Sequence, residues 1–247
     1  TKLSTAGATF ARFVYSAPLV AVILAVYLSV TQQAMPMPNA RFFLFAFTGG
    51  IAQITATMCV VALFAARNFA VGITFKKTEV VLTALVGLVV LGEGISLWGS
   101  LAIAVGFAGL ILLSDPPEGG QGWRRFFNKA AGLGLLSGIL FACSAIGYRG
   151  ASLSLGIEGV VARAGFTLAC VTAFQSVVMA LWMRMREPGE ITRVLAAWRV
   201  GALVGVSSMI GSFCWFTAFT LQNAALVKAL GQVELLLSIL ASLLFFK

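Results

Sequence analysis

Between Phe13 and Val30 the chain carries no charge, and apolar stretches of similar length recur along it. Such stretches leave few options. A helix needs about 20 mainly apolar residues to cross a bilayer, and in lipid every backbone N–H and C=O must be paired internally, which admits only helices and closed barrels. Barrel strands alternate apolar and polar residues, and these stretches do not. Their lengths and interruptions predict helices over about 7–30, 42–66, 71–91, 95–113, 130–150, 160–183, 200–221 and 224–246. Turn-forming residues fall between them: Met35-Pro36-Met37-Pro38-Asn39, Gly92-Glu93-Gly94, Asp115-Pro116-Pro117-Glu118-Gly119-Gly120 and Glu187-Pro188-Gly189-Glu190. The chain is read as an all-α integral membrane protein.

Composition narrows the functions. Of the 247 residues 60% are apolar and 10% charged, with a mean hydropathy of +1.00, against about 45–50% and about 25% in soluble domains. The net charge of +9 comes from basic residues flanking apolar runs, which suits anionic lipid headgroups and gives nucleic acid no continuous basic stripe. Histidine is absent, removing the commonest general base and metal ligand. Cys59, Cys143, Cys170 and Cys214 sit singly inside apolar runs, without the paired spacing of a zinc or redox site. No nucleophile elbow, phosphate-binding loop or dinucleotide fingerprint is present. The expectation is neither an enzyme nor an ATP-driven pump, with no cofactor and no metal. No cleavable signal peptide is visible and the first residue is Thr1, so the chain is expected to begin inside a longer gene product.

The sequence also repeats itself. Sliding it by 234 − 79 = 155 places Gly205 on Gly50, Cys214 on Cys59, Phe219 on Phe64, Asn223 on Asn68, Ala225 on Ala70 and Glu234 on Glu79. Leucines continue the register as Leu82/Leu237, Leu85/Leu240 and Leu88/Leu243, and a slide of 163 − 12 = 151 puts Ala162-Arg163 on Ala11-Arg12. Cys, Asn and Glu are scarce here, so their coincidence at one offset indicates internal duplication, a common device of transporter folds. After Glu79 the first half continues through Leu91-Gly92-Glu93-Gly94 into a further helix, whereas the second stops at Phe245-Phe246-Lys247. The second half opens with a helix at 130–150 that has no counterpart before Thr1.

Three pieces, the first two of them repeated and the third met in the second half by Phe245-Phe246-Lys247 where a Gly-Glu is expected, resemble the EamA domain of the drug/metabolite transporter superfamily. They are the Ala11-Arg12-Phe13 entry to a helix, the Asn68-Phe69-Ala70 turn leading to Glu79, and the closing Leu91-Gly92-Glu93. The second half carries Ala162-Arg163, Asn223-Ala224-Ala225 and Glu234 in the same order, and the likeness covers essentially the whole chain. The resemblance implies a carrier of two inverted five-helix repeats, ten helices in all, of which eight are visible. The first repeat would span 1–115 without its first helix, a linker 116–129, and the second repeat 130–247 without its last helix. A central cavity would be lined by the helices starting near 7, 42, 71, 130, 160, 200 and 224. The helix at 95–113, with Gly99, Gly106 and Gly109, would pack outside as scaffold or as the contact of a homodimer.

Ionisable residues at membrane depth are costly, by at least about 2.5–3.5 kcal/mol each, and so mark candidate sites. Lys76, Lys77 and Glu79 form the strongest cluster, with Lys76 and Glu79 on one helical face. The repeat partner carries Lys228, Gln232 and Glu234. These residues contact substrate or the coupling ion, or alternatively each glutamate pins a neighbouring helix or pairs with its own lysine. Gln53, Thr55 and Thr57, and Ser207, Ser208, Ser212 and Trp215 on the repeat mate, offer hydrogen bonds to a cavity or glue between helices. Tyr15 and Trp215 could stack on a planar substrate, and Tyr148-Arg149 end a helix. Arg12 and Arg163 stand near helix starts, where the preferred reading is a side chain snorkelling to headgroups.

The expected function is secondary active transport, exporting a small metabolite across a cell inner membrane by alternating access. Lysines outnumber glutamates near the expected cavity, which favours a carboxylate-bearing substrate such as an amino acid or organic acid. Protons would be the coupling ion, carried by Glu79 or Glu234. An exporter of lipophilic drugs or lipid-linked substrates is the alternative, and a non-transporting membrane scaffold the alternative of another class. Sidedness stays open. Both termini of the ten-helix plan are expected in the cytoplasm, placing the connections 114–129 and 184–199 outside, yet these are the most basic loops and the positive-inside rule places them inside.

Overall fold

In a computed structural model the protein is described over residues 3–64, 69–112, 129–234 and 237, and all regular structure among these residues is helical. The helices are α1 (Thr5–Thr31), α2 (Ala40–Phe64), α3 (Phe69–Lys76), α4 (Glu79–Leu91), α5 (Leu97–Leu112), α6 (Lys129–Ser154), α7 (Val160–Arg186), α8 (Glu190–Ala196), α9 (Trp198–Leu221) and α10 (Ala224–Gly231). Five of them, α1, α2, α6, α7 and α9, are long and apolar enough to cross a membrane. Their outer faces carry exposed Val22, Val26 and Val30 on α1 and Val200, Leu203 and Ile210 on α9. Contiguous apolar faces of this kind suit lipid, compatible with a chain that crosses a membrane several times.

Helix ends follow local chemistry. Ser4 caps α1, its hydroxyl accepting from the Gly7 N–H at 2.9 Å. Asn39 caps α2 by accepting from the Phe42 N–H, and its amide donates to the Ser154 carbonyl, fixing the start of α2 against the end of α6. At the opposite end the Ser4 N–H donates to Glu190 Oε1 at 2.6 Å, joining the start of α1 to α8. Gly92 ends α4 at φ +67°, a left-handed turn that glycine takes without strain.

The expected boundaries need three corrections. The stretch 71–91 is two helices, parted at Lys77-Thr78, because the Thr78 hydroxyl donates to the Phe75 carbonyl at 2.7 Å and closes a tight turn. The helix expected over 224–246 also stops, at Gly231, with Gln232 in a turn before helix resumes at Val233. Part of the connection 184–199 is helical, as α8. Asn68, the expected linker 116–129 up to residue 128, and 235–236 and 238–247 lie outside the described residues.

The helix α6 is the hub, packing along α2, α3 and α4. Small residues permit this: a Cβ on Gly147 would stand 2.8 Å from the Phe45 carbonyl oxygen and 2.9 Å from Gly49 Cα. Gly138 meets the α3–α4 break, where a Cβ would lie 3.1 Å from the Lys76 carbonyl. Helices in lipid associate by close van der Waals contact of this kind.

Candidate functional site

The break between α3 and α4 brings three helix-end charges together. Glu79 sits in the first turn of α4 and Lys76 in the last turn of α3, the signs favoured by the two helix dipoles. Lys228 lies in the last turn of α10, again the favoured sign. Its ammonium pairs with Glu79 Oε1, and the Lys76 ammonium stands 3.6 Å from Oε2. Glu79 is 6% exposed, so this carboxylate is removed from solvent and neutralised by two lysines from separate helices.

Aromatic rings enclose the lysines. Lys228 Nζ lies 4.8 Å from the Trp215 ring centre, 5.7 Å from Phe219 and 5.8 Å from Phe141, and Lys76 Nζ lies 5.3 Å from Phe141. Each ring offers its negative face, worth about 0.5–1 kcal/mol at exposed sites and more when desolvated. Gly231 makes room for Trp215, since a Cβ there would fall 2.5 Å from the indole.

Beside this cluster is a cavity of about 170 Å³. Gln53, Lys76, Glu79, Tyr148, Trp215, Lys228, Gln232 and Glu234 all line it, so the two sequence clusters from separate halves meet at one place. Phe141, Ser144, Phe216, Phe219 and Arg12 complete much of the wall. Lys77, Tyr15 and Ser212 are not among the lining residues. Lys77 is in the turn between α3 and α4. The Tyr15 hydroxyl donates to the Val194 carbonyl at 3.0 Å while its ring packs on Gly201 and its Cβ and backbone on Gly205, tying α1 to α8 and α9. Ser212 is half-buried on α9. Thr55, Thr57 and Ser207 donate to carbonyls of their own helices.

A buried network sets the wall opposite the lysines. The Tyr148 hydroxyl donates to Gln53 Oε1 at 2.6 Å, and Gln175 Nε2 donates to the same oxygen at 2.9 Å and to the Gly50 carbonyl at 3.1 Å. Tyr148 stacks on Phe216 with centroids 4.4 Å apart. Two donors on one oxygen orient the Gln53 amide, leaving its NH₂ as the group free to serve the cavity.

Arg12 departs from the headgroup reading. Its Nε donates to the Ser208 hydroxyl at 2.7 Å, and the side chain lines the cavity. Ser208 is ten residues into α9, about 15 Å from its start at 1.5 Å per residue, so the guanidinium is held toward the middle of that helix and not at its end.

A clasp joins several helix ends and takes in the carbonyl of Phe219, a residue of the cavity wall. Arg149 Nε donates to Glu93 Oε1 and Oε2 at 2.8 and 2.7 Å, and its NH1 donates to the Phe219 and Gln222 carbonyls at 2.6 and 2.7 Å. Asn223 donates to Glu93 Oε2 at 3.2 Å while capping α10 through the Ala225 N–H. The ends of α4, α6, α9 and the start of α10 therefore share one ionic knot. In sequence Arg149 reads only as a helix end, and its partner stands 56 positions away.

No model of a known protein family matches the chain, and no curated protein matches its sequence. The arrangement can hold a small polar solute, with fixed charges and aromatic faces side by side in one wall.

Proposed function

We propose that the protein is a secondary active carrier of the drug/metabolite transporter superfamily, exporting a small carboxylate-bearing metabolite such as an amino acid or organic acid across a cell inner membrane by alternating access. The observation that carries this is the cavity of about 170 Å³ among apolar helices, with Lys76, Glu79 and Lys228 gathered where helices break. Broken helices at a central site are a recurrent transporter device, since they present helix ends to a solute. The breaks at Lys77 and Gln232 are separated by 232 − 77 = 155 positions, the same offset that superposes the two halves of the sequence. That coincidence supports two inverted five-helix repeats in a ten-helix plan. Protons as coupling ion, carried by Glu79 or Glu234, belong to the same reading. Gly106 and Gly109 on α5 have open space beside them, which suits a second copy packing there as a homodimer.

A second reading is favoured by one feature. A groove of about 180 Å³ between α1, α7 and α9 is lined almost wholly by apolar side chains, among them Leu24, Leu168 and Phe213. It would admit a lipophilic drug or a lipid-linked substrate from the bilayer.

Thermal stabilisation of the purified protein against amino acids, organic anions, lipophilic cations and lipid precursors tests these readings, because a ligand that binds only the folded state raises the melting temperature. Stabilisation by carboxylates supports the metabolite carrier. Stabilisation by lipophilic cations alone moves the assignment to the drug exporter, and no response across the panel supports a membrane scaffold.

A further inference from the structure

We infer that Arg12 is the group that receives the substrate's carboxylate, and that the lysine pair is not. This rests on the carrier reading and names the anchor within that site. Of the cations lining the cavity, Lys228 and Lys76 both face Glu79. Arg12 has no carboxylate partner among the described residues. It bonds the Ser208 hydroxyl at 2.7 Å and lies over the ring of its neighbour Phe13, 6.0 Å from the ring centre.

A guanidinium held at membrane depth without a counter-ion is costly, and such groups in membrane proteins face a cavity or a partner charge. Here the hydroxyl of Ser208 holds it by Nε, which leaves the two terminal nitrogens for a planar oxyanion. Guanidinium binds a carboxylate through paired N–H donors, a fit an ammonium cannot copy. The Gln53 amide adds a further donor to the same cavity, because its oxygen already accepts from Tyr148 and Gln175. Lining charges sum to one net positive, with Arg12, Lys76 and Lys228 against Glu79 and Glu234. A monocarboxylate whose apolar body lies on Phe216 and Trp215 meets that balance.

The experiment uses the purified chain in detergent with acetate, lactate and benzoate as probes, and benzamide as the neutral counterpart of benzoate. Melting temperature and isothermal titration are read for wild type, Arg12→Gln, Arg12→Lys and Lys228→Gln. The expected result is that at least one carboxylate stabilises the wild type and benzamide does not. Arg12→Gln then weakens that binding by about tenfold to a hundredfold, the loss expected for a hydrogen bond to a charged group. Arg12→Lys restores it only in part, and Lys228→Gln weakens it less than Arg12→Gln does. The unliganded melting temperature of Arg12→Gln stays at or above wild type, because an unpaired cation has been removed, whereas a purely structural arginine would lower it. Full carboxylate binding by Arg12→Gln, with loss in Lys228→Gln, overturns the inference and leaves the carrier reading standing. Failure of every carboxylate on the wild type overturns both.

Discussion

Replacing Lys228 with Met leaves Glu79 facing the cavity with Lys76, at 3.6 Å, as its remaining cation. Removing one member of a buried ion pair costs about 3–5 kcal/mol, because the other charge is left desolvated. The Glu79 side chain is 7% exposed and that of Lys228 16%, so the pair counts as buried. The Lys76 side chain is 31% exposed and compensates in part, which puts the loss at the lower end, about 3 kcal/mol. Methionine keeps contact with Trp215 and Phe219 through its soft thioether, so the ring contacts change little. For a chain of this size such a loss lowers the melting temperature by about 6–12 °C. Glu79→Leu alone strands Lys228 among the rings and is expected to cost a similar amount. The double variant Lys228→Met, Glu79→Leu removes both charges and places apolar volume in the gap, and apolar replacement of a buried pair is often neutral or stabilising. It should melt within about 1 kcal/mol of wild type, giving a large coupling term in a double-mutant cycle. Circular-dichroism melts of the four proteins in one detergent measure this. If the double variant loses the sum of the two single losses, Lys228 and Glu79 do not act as a pair and the centre of the site is misread.

Other perturbations follow from the same geometry. Gly147→Ala pushes a methyl against the Phe45 carbonyl and Gly49 and should cost about 1–3 kcal/mol, seen as a lower melting temperature, while Gly106→Ala, which meets open space, should cost none. Glu93→Gln leaves Arg149 with carbonyl partners only; amides at the end of α9 and the start of α10 should exchange hydrogen faster, and unchanged protection there would show that the clasp does not hold these helix ends together. Tyr148→Phe removes one of two donors to Gln53 Oε1 and should cost about 1 kcal/mol in stability, with a rise in melting temperature counting against the network.

The parts of the fold that depend on chain-local chemistry were legible. An apolar run as long as Phe13–Val30 reads as a helix able to span a membrane, and α1, α2, α6, α7 and α9 lie where the runs lie. The breaks at Lys77 and Gln232 were not read, because hydropathy averages over a window and is blind to one hydroxyl bonding a carbonyl three residues back, as Thr78 does to Phe75. Two lysines and a threonine just before a glutamate are the only sign, and they equally fit a charged face of one helix.

Residue type and spacing alone singled out Glu79, Lys76 and Lys228 as costly groups in an apolar setting, and the repeat offset tied Glu79 to Glu234. Which charges meet was a matter for the tertiary structure. Sequence proximity pairs Glu79 with Lys76, yet the closer partner is Lys228, on a helix from the other half. Arg12 shows the same limit: near a helix start the local rule sends its side chain to the membrane surface, and only Ser208, 196 positions away, turns it inward. The reason is physical. Hydrophobic periodicity and turn chemistry act between neighbours along the chain and can be read from it, whereas the direction of a long charged side chain is decided by whichever partner the packing brings within hydrogen-bond reach.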